Sequence, residues 1–246
     1  MLQRVLETEA MDSLEEALDY NSMDHGEVNR VFAADLLAAG EKGDRSNLCE
    51  APIGPFRQIG PVPFFPNGEI LDLGTGTALI PIELCRRVPN ARVLAVDVAE
   101  HMLALGRQNV EKAGLAGRIR LECVDAKRLP YRDGQFATVI SNSIIHHLSN
   151  PHVAINEAWR VTASGGLVFF RDLFRPDNET VLCRLVETYA AGANQRQQQM
   201  LADSFRAALT VEEIRQLIIP LGVPPESVRA TSDRHWTWAA RKTTIN

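Results

Sequence analysis

The stretch "ILDLGTGTALIPIELCRR", residues 70–87, combines a short apolar run, two closely spaced glycines and a helical pattern. This order is typical of a parallel strand that leads through a tight turn into a helix. Gly74 and Gly76 have no side chain, so the backbone N–H groups of the turn and of the helix start can approach a ligand closely. The stretch therefore predicts a nucleotide-like ligand at this turn.

The same stretch departs from two well-known nucleotide loops. The dinucleotide fingerprint G-x-G-x-x-G requires a third glycine where Leu79 stands, and the Gly-Lys-Ser/Thr sequence of a phosphate-binding loop does not follow. Asp72 lies two residues before Gly74, where its carboxylate would repel a pyrophosphate and attract an ammonium group. A ligand with a cationic end is therefore favoured over a dinucleotide.

Two further aspartates end the next two apolar runs. Asp97 closes "ARVLAVD", and Asp125 closes the run in "IRLECVDA". The carboxyl ends of parallel strands form the edge at which such sheets bind ligands, and a carboxylate at the second strand can accept both hydroxyls of a ribose. Each aspartate alone could be a helix N-cap. Three of them in register with a glycine loop indicate one binding edge.

The chain around this edge alternates between strand and helix patterns. This alternation predicts an α/β fold with a Rossmann-like, doubly wound and mostly parallel sheet of seven strands. The last two strands, in "ESVRATSD" and "HWTWAARKT", are expected to form an antiparallel pair at the sheet edge. The five earlier strands are predicted at 69–73, 92–97, 119–124, 136–141 and 166–171, and the helices near 78–88, 99–113, 151–162, 178–191, 194–208 and after Thr210.

The chain is expected to form a single domain over residues 1–246. Its N-terminal part, 1–68, consists of a helical extension at 13–40, which Gly40 is expected to end, and an irregular connector rich in proline and glycine. The cofactor-binding core is expected at 69–173. A helical insertion at 174–208 is placed where a substrate cap could form, and 209–246 holds the last helix and the strand pair.

The amino-acid composition limits the kinds of partner and location that we expect for the chain. The chain has 26 Lys and Arg against 31 Asp and Glu, a net charge of −5, which disfavours a nucleic-acid partner. No apolar run approaches the roughly 20 residues of a membrane span, and the N-terminus lacks the pattern of a signal peptide. We therefore expect a cytoplasmic protein. We expect no metal site or disulfide framework, because no CxxC pair occurs among Cys49, Cys85, Cys123 and Cys183.

Five segments in order resemble the class I S-adenosylmethionine-dependent methyltransferases. They are "ILDLGTGTALI", "VLAVDVAEHML", "CVDAKRLPY", "FATVISNSIIHHL" and "ASGGLVFFRDL", which together cover about residues 69–173. Two positions depart from the family's usual pattern, since Thr77 stands where a third glycine is frequent and Ala137 where an aspartate is frequent. The motifs for methylation of amide or exocyclic nitrogens and of cytosine C5 are absent, which again points away from nucleic acid.

The resemblance implies S-adenosylmethionine as the cofactor and S-adenosylhomocysteine as the product. The amino-acid part of the cofactor would lie at Asp72 and the loop Gly74, Thr75 and Gly76. The ribose would lie at Asp97. Further cofactor-binding positions implied by the resemblance are Val98, Met102, Asp125 and Ala126, the last three near the adenine, and Ser141 and Asn142 near the methionine moiety.

Methyl transfer from a sulfonium requires alignment of a nucleophile, and a base only where the nucleophile arrives protonated. His146 and His147 follow the fourth strand and are the candidate catalytic residues. Because adjacent helical residues point about 100° apart, at most one of them is expected to face the cofactor. Candidate substrate contacts are Tyr20 and His25, which could instead mark a helix junction, and Arg171, which could instead form a structural ion pair.

These observations favour an S-adenosylmethionine-dependent methyltransferase that acts on a small molecule. Two alternatives remain open at this level. The first is a regulatory protein that binds the cofactor without turnover, because displacement chemistry requires no particular catalytic side chain. The second is an NAD-dependent dehydrogenase, which Asp72 and Leu79 disfavour.

Overall fold

The computed structural model describes residues 2–7, 13–23, 25–44 and 68–243. Most of the predicted irregular connector, residues 45–67, lies outside these ranges. None of the helices in the described ranges has both the length and the apolar character that crossing a bilayer requires.

Seven strands form one sheet in the order β3-β2-β1-β4-β5-β7-β6. All neighbours from β3 to β5 pair in parallel, whereas β7 pairs antiparallel with both β5 and β6. The predicted fold class is therefore confirmed. The strands are β1 Ile70–Leu73, β2 Val93–Asp97, β3 Ile119–Cys123, β4 Phe136–Asn142, β5 Thr162–Leu173, β6 Val228–Ala230 and β7 His235–Arg241.

Helices connect the strands and extend the N-terminus. The predicted N-terminal helical segment is two helices, separated near Met23, and the second continues through Gly40 to Asp44 instead of ending at Gly40. The helices are α1 Leu14–Ser22, α2 Gly26–Asp44, α3 Leu79–Arg87, α4 Glu100–Lys112, α5 Pro151–Val161, α6 Glu179–Tyr189, α7 Gln195–Ala207 and α8 Val211–Ile218, with a short 3-10 turn at Ile145–His147.

Apolar layers cover both faces of the sheet. On one face, α5 and α8 pack against the sheet around the buried Trp236 and Trp238. On the other face, Phe32 of α2 meets Phe169 of β5 edge to face, with ring centroids 5.2 Å apart. Because both faces are covered in this way, the carboxyl edge of the parallel strands is the part of the sheet left open to a ligand.

Helices α6 and α7 form a smaller apolar cluster beside this edge. Phe205 of α7 is fully buried there with Leu182 and Leu185 of α6, and Leu2 of the N-terminal segment packs against them. The N-terminal segment 2–7 is thereby brought next to the 3-10 turn that carries the two candidate histidines.

Candidate cofactor site

A cavity of about 340 Å³ opens at the carboxyl edge of β1, β2 and β4. Its volume lies within the range of about 300–1,000 Å³ that is typical of small-molecule sites. Most of the predicted cofactor positions line it together with several residues that were not predicted. The lining residues are Tyr20, Gly74, Gly76, Asp97, Val98, Ala99, Met102, Val124, Asp125, Ala126, Lys127, Asn142, Ser143, Ile144, His147 and Leu148.

The glycine loop forms one wall of the cavity. Gly74 and Gly76 have φ angles of +67° and +54°, a region that side chains other than glycine rarely adopt. A Cβ on Gly74 would lie 1.8 Å from Cγ2 of Ile144, whereas a Cβ on Gly76 would meet only Tyr20, at 3.9 Å. Gly74 is therefore required by close packing of the loop on the 142–148 segment, and Gly76 leaves room above the loop.

Asp97 lies at the end of β2 and is oriented by the loop. Its Oδ2 accepts a hydrogen bond from the Gly76 N–H at 2.8 Å, and its Oδ1 accepts one from the Ala99 N–H at 2.9 Å. Burial raises the pKa of this carboxyl, while the backbone N–H groups oppose the rise. Both oxygens keep acceptor capacity for the vicinal hydroxyls of a ribose.

Asp72 lines a small recess of about 20 Å³ beside the main cavity, and Gly74, Asn142 and Tyr20 line both spaces. Asp72 is only 2% exposed, and burial raises its pKa to about 7. Four buried polar atoms around the recess lack a hydrogen-bond partner in the described part of the chain: Oδ2 of Asp72, Oδ1 of Asn142 and the hydroxyls of Thr75 and Thr77. A carboxylate, an amide and two hydroxyls suit the ammonium and carboxylate of an amino acid.

The opposite end of the cavity combines one carboxylate with apolar side chains. Oδ1 of Asp125 accepts a hydrogen bond from the Lys127 N–H at 2.8 Å. Met102 and Ala126 are buried beside it, 4% and 8% exposed. An apolar slot bordered by an acceptor fits an adenine ring, whose amino group donates and whose faces are apolar.

Helix α1 covers the cavity. Tyr20 lies in its wall, and burial raises the pKa of this phenol to about 12, with Asp97 and Asp72 adding to the rise. His25 lies beside Tyr20, with ring centroids 4.4 Å apart, and its Nε2 is 2.8 Å from the Tyr20 carbonyl. His25 is not among the residues that line the cavity.

The two candidate histidines have different surroundings. His147 lines the cavity, whereas His146 is 3% exposed and its Nδ1 lies 2.5 Å from Oδ1 of Asp172. Burial disfavours the charged form of His146, but the Asp172 carboxylate outweighs it, so the pKa of His146 is raised. Glu7 lies against both rings, with Oε1 3.4 Å from Nε2 of His146 and 3.1 Å from Nδ1 of His147.

Two further predicted positions, besides His25 and His146, lie outside the cavity wall. The Ser141 hydroxyl is buried and donates to the Leu73 carbonyl at 3.0 Å, so it joins β4 to β1. Arg171, a candidate substrate contact, is buried against α2, where it donates to Asp35 at 2.6 Å and to the Thr237 hydroxyl at 2.9 Å. Its charge is thus already paired within the fold, as in the structural ion pair that the sequence left open.

The sequence does not predict that Ile144 and Leu148 line the cavity or that Glu7 contacts the two histidines. Glu7 is far from the histidines in sequence, and no motif links them. Ile144 and Leu148 lie within the quoted segment "FATVISNSIIHHL", but their apolar side chains are typical of the hydrophobic core and not of a ligand site. The positive φ of Ser143, +61°, turns the chain between β4 and the 3-10 turn and brings these residues to the cavity.

A family model described as a methyltransferase domain matches residues 70–166. Curated relatives include a ubiquinone/menaquinone biosynthesis C-methyltransferase of Geotalea daltonii, 28% identical over 47% of this chain and 49% of the relative. Another is a malonyl-[acyl-carrier protein] O-methyltransferase of Halorhodospira halophila, 34% identical over 62% of this chain and 50% of the relative. The chain spans about half the length of the curated relatives that it matches.

Solved structures agree in fold. A candidate S-adenosylmethionine-dependent methyltransferase from Methanococcus maripaludis superposes with a TM-score of 0.64 at 17% identity, covering 98% of this chain and 99% of that one. The plantazolicin methyltransferase BpumL, solved with a monoazolic desmethylPZN analogue and S-adenosylhomocysteine, gives a TM-score of 0.62 at 14% identity, covering 93% of this chain and 90% of that one. Taken together, residues 70–166 match a methyltransferase domain, and the chain shares the fold of these S-adenosylmethionine-dependent methyltransferases.

Proposed function

We propose that this protein transfers the methyl group of S-adenosylmethionine to a small-molecule acceptor. The observation that carries the proposal is the cavity at the carboxyl edge, which has an unpaired acidic recess at one end and an apolar slot at the other. When bound, the cofactor would supply an activated methyl carbon on a sulfonium for in-line transfer to an acceptor nucleophile, with S-adenosylhomocysteine as the leaving group. The protein has to align the two reactants and exclude water.

We assign the amino-acid end of the cofactor to the recess. There the ionised Asp72 would pair with the ammonium group, and the hydroxyls of Thr75 and Thr77 would donate to the carboxylate. Asp97 and Val98 would hold the ribose. The adenine would occupy the slot formed by Met102, Asp125 and Ala126, and Asn142 would border the methionine chain. The ammonium and carboxylate would satisfy unpaired polar atoms of the recess, the adenine would cover an apolar wall, and the ribose would use the remaining acceptor capacity of Asp97.

We propose His147 as the residue that takes the acceptor's proton. It lines the cavity, and Asp97 lies close enough for the two charges to influence each other. His146 is buried behind it, so we assign His146 a positioning role. Tyr20 would limit the acceptor's space from the side of α1. A base of this kind suits an acceptor atom that arrives protonated.

The relatives support the reaction class rather than one acceptor. The names of two of them specify different acceptors, since one is a C-methyltransferase of quinone biosynthesis and the other an O-methyltransferase of a malonyl-carrier protein. The net charge of −5 supports a small acceptor rather than a nucleic acid. A cytoplasmic location stays a prediction from the sequence.

The experiment is methyl transfer from labelled S-adenosylmethionine into a small-molecule extract. We expect the wild type to form S-adenosylhomocysteine, and His147→Ala to lower the rate by about 10²–10⁴-fold with little change in cofactor affinity. His152→Ala is the control, because His152 lies on α5 outside the cavity wall. Cofactor binding without product in any extract would instead favour a regulatory protein without turnover. Unchanged turnover in His147→Ala would remove His147 from the mechanism.

A further inference from the structure

Beside the cavity, Glu7, His146 and His147 bring three potential metal-ligand atoms together. Oε1 of Glu7, Nε2 of His146 and Nδ1 of His147 all lie within 4.8 Å of one another. The three side chains are 18%, 4% and 16% exposed. The cluster is therefore largely shielded from water, unlike the exposed acidic groups that are common on protein surfaces.

Two of the three distances between these atoms are close to those between ligands of one ion. Metal–ligand distances near 2.0–2.2 Å and a tetrahedral angle separate neighbouring ligand atoms by about 3.3–3.6 Å. The Glu7 oxygen is 3.4 Å from Nε2 of His146 and 3.1 Å from Nδ1 of His147. Apart from their contact with each other, Oε1 of Glu7 and Nδ1 of His147 are buried without a hydrogen-bond partner in the described residues. The two atoms lie side by side, as ligands of a shared ion do.

The surroundings of His146 leave its Nε2, the ring nitrogen that faces Glu7, available to bind a metal ion. Asp172 accepts from Nδ1 at 2.5 Å, which leaves the lone pair of Nε2 on the side of Glu7. A histidine that binds a metal ion usually donates its other ring N–H to a carboxylate, which fixes the orientation of the ring and raises its basicity. Asp172 is itself held by the backbone N–H groups of Ile145 and Leu173, at 2.6 and 2.7 Å.

The N-terminal segment is anchored where the third ligand is needed. Nε of Arg4 donates to the Ala207 carbonyl at 2.7 Å, and its NH2 group donates to the Leu148 and His146 carbonyls at 2.9 and 3.2 Å. These bonds place Glu7 against the 3-10 turn without any contribution from an ion. A preformed site loses less conformational entropy when it binds a ligand.

We propose that Glu7, His146 and His147 bind one divalent transition-metal ion, such as Zn²⁺. Two imidazoles and one carboxylate are a ligand set that Zn²⁺ and neighbouring first-row ions accept. The carboxylates of Glu7 and Asp172 together balance the two charges of the ion. The bound ion fastens the N-terminal segment to the cavity wall and occupies Nδ1 of His147, so the proposed base catalysis by His147 belongs to the ion-free protein. Its binding test does not depend on the proposed methyl transfer.

The test is calorimetric titration of the untagged, full-length protein with Zn²⁺. We expect one ion per chain in the wild type, binding at least tenfold weaker in Glu7→Gln and about 10–100-fold weaker in Asp172→Asn. Glu27→Gln is the matched control, because Glu27 is an exposed glutamate at the start of α2. It should bind as the wild type does.

Two results would overturn the proposal. One is the absence of a one-to-one binding event in the wild type. The other is equal affinity in Glu7→Gln and the wild type, which would assign the ion to a surface site such as the exposed Cys123 or Cys183. Thermal melting without metal checks that each variant is folded. If Glu7→Gln is not folded, His147→Gln replaces it, and we expect the same loss of at least tenfold in Zn²⁺ affinity.

Discussion

At the scale of single residues, Asp72 is the position most directly linked to cofactor binding. The carboxyl is almost completely buried, one of its oxygens has no hydrogen-bond partner in the described part of the chain, and its pKa rises from 3.8 to about 7. A carboxyl in this state opposes folding when it is ionised and has no partner. A cationic group of the ligand would offset this free-energy cost of burying the ionised Asp72, but only when the ligand is bound.

Asp72→Asn should therefore change the stability of the ligand-free protein in a pH-dependent way. The folded-state pKa lies above the unfolded-state value, so stability is lost as pH rises from about 4 to about 7. Asparagine does not titrate. The variant should gain about 2–3 kcal/mol more over the wild type at pH 8 than at pH 5. Urea unfolding at both pH values measures this, with exposed Asp177→Asn as the control. An equal difference at both pH values would contradict the assignment.

The first glycine of the loop gives a second prediction at this scale. Gly74→Ala places a methyl group against Ile144, so we expect a loss of about 1–3 kcal/mol from overpacking and a loss of cofactor affinity of more than tenfold. Gly114→Ala is the matched control, since its φ of +69° is nearly the same and a Cβ there meets nothing within 4 Å. Melting curves and calorimetry separate the two effects. Equal losses of stability in the two variants would attribute that loss to backbone strain instead of overpacking.

At the scale of elements, one side chain joins α1 and α4 to the glycine loop. Nδ2 of Asn109 on α4 donates to Oδ1 of Asn21 at 2.8 Å and to the Thr77 carbonyl at 3.0 Å. Asn21 is next to Tyr20, which lies in the cavity wall. The position of this wall therefore depends on a bridge between two helices that are far apart in sequence.

Removal of that bridge should loosen the cover of the cavity. We expect Asn109→Ala to weaken S-adenosylmethionine binding by several-fold, and to lower stability by about 1–2 kcal/mol through two lost hydrogen bonds. Gln108→Ala, at the exposed neighbouring position on the same helix, is the control. Stopped-flow dissociation of the cofactor would report the loosening as a faster off-rate. An unchanged off-rate would mean that α1 is held mainly by other contacts.

The strands and helices of the core could be predicted from the sequence because each has its own local pattern. The branched apolar runs and the glycine turn placed β1 to within one residue. Along β5, however, the alternation sends Arg171 towards α2 and Asp172 towards His146. The sequence indicates that the two side chains face opposite sides, but the element that covers each side depends on long-range packing.

At the scale of the whole molecule, the cavity is closed by segments that lie outside the core motifs, although the sequence does name Tyr20 as a candidate contact. Glu7 of the N-terminal segment reaches His147 in the cavity wall, α1 supplies Tyr20, and α7 supplies the Ala207 carbonyl that holds Arg4. The core motifs could predict the cofactor edge, since its residues follow successive strands. They could not predict this cover, since it depends on contacts between distant segments of the chain.

The most direct test of the central claim, that this cavity binds S-adenosylmethionine through its strand-end carboxylates, is calorimetric titration with that cofactor. The wild type should show saturable one-to-one binding. Asp97→Ala should weaken it by at least tenfold, because each lost hydrogen bond between a ribose hydroxyl and the carboxylate contributes about 1.5–3 kcal/mol. Asp177→Ala, at an exposed site, should leave it unchanged. No binding in the wild type, or equal binding in Asp97→Ala, would contradict the account.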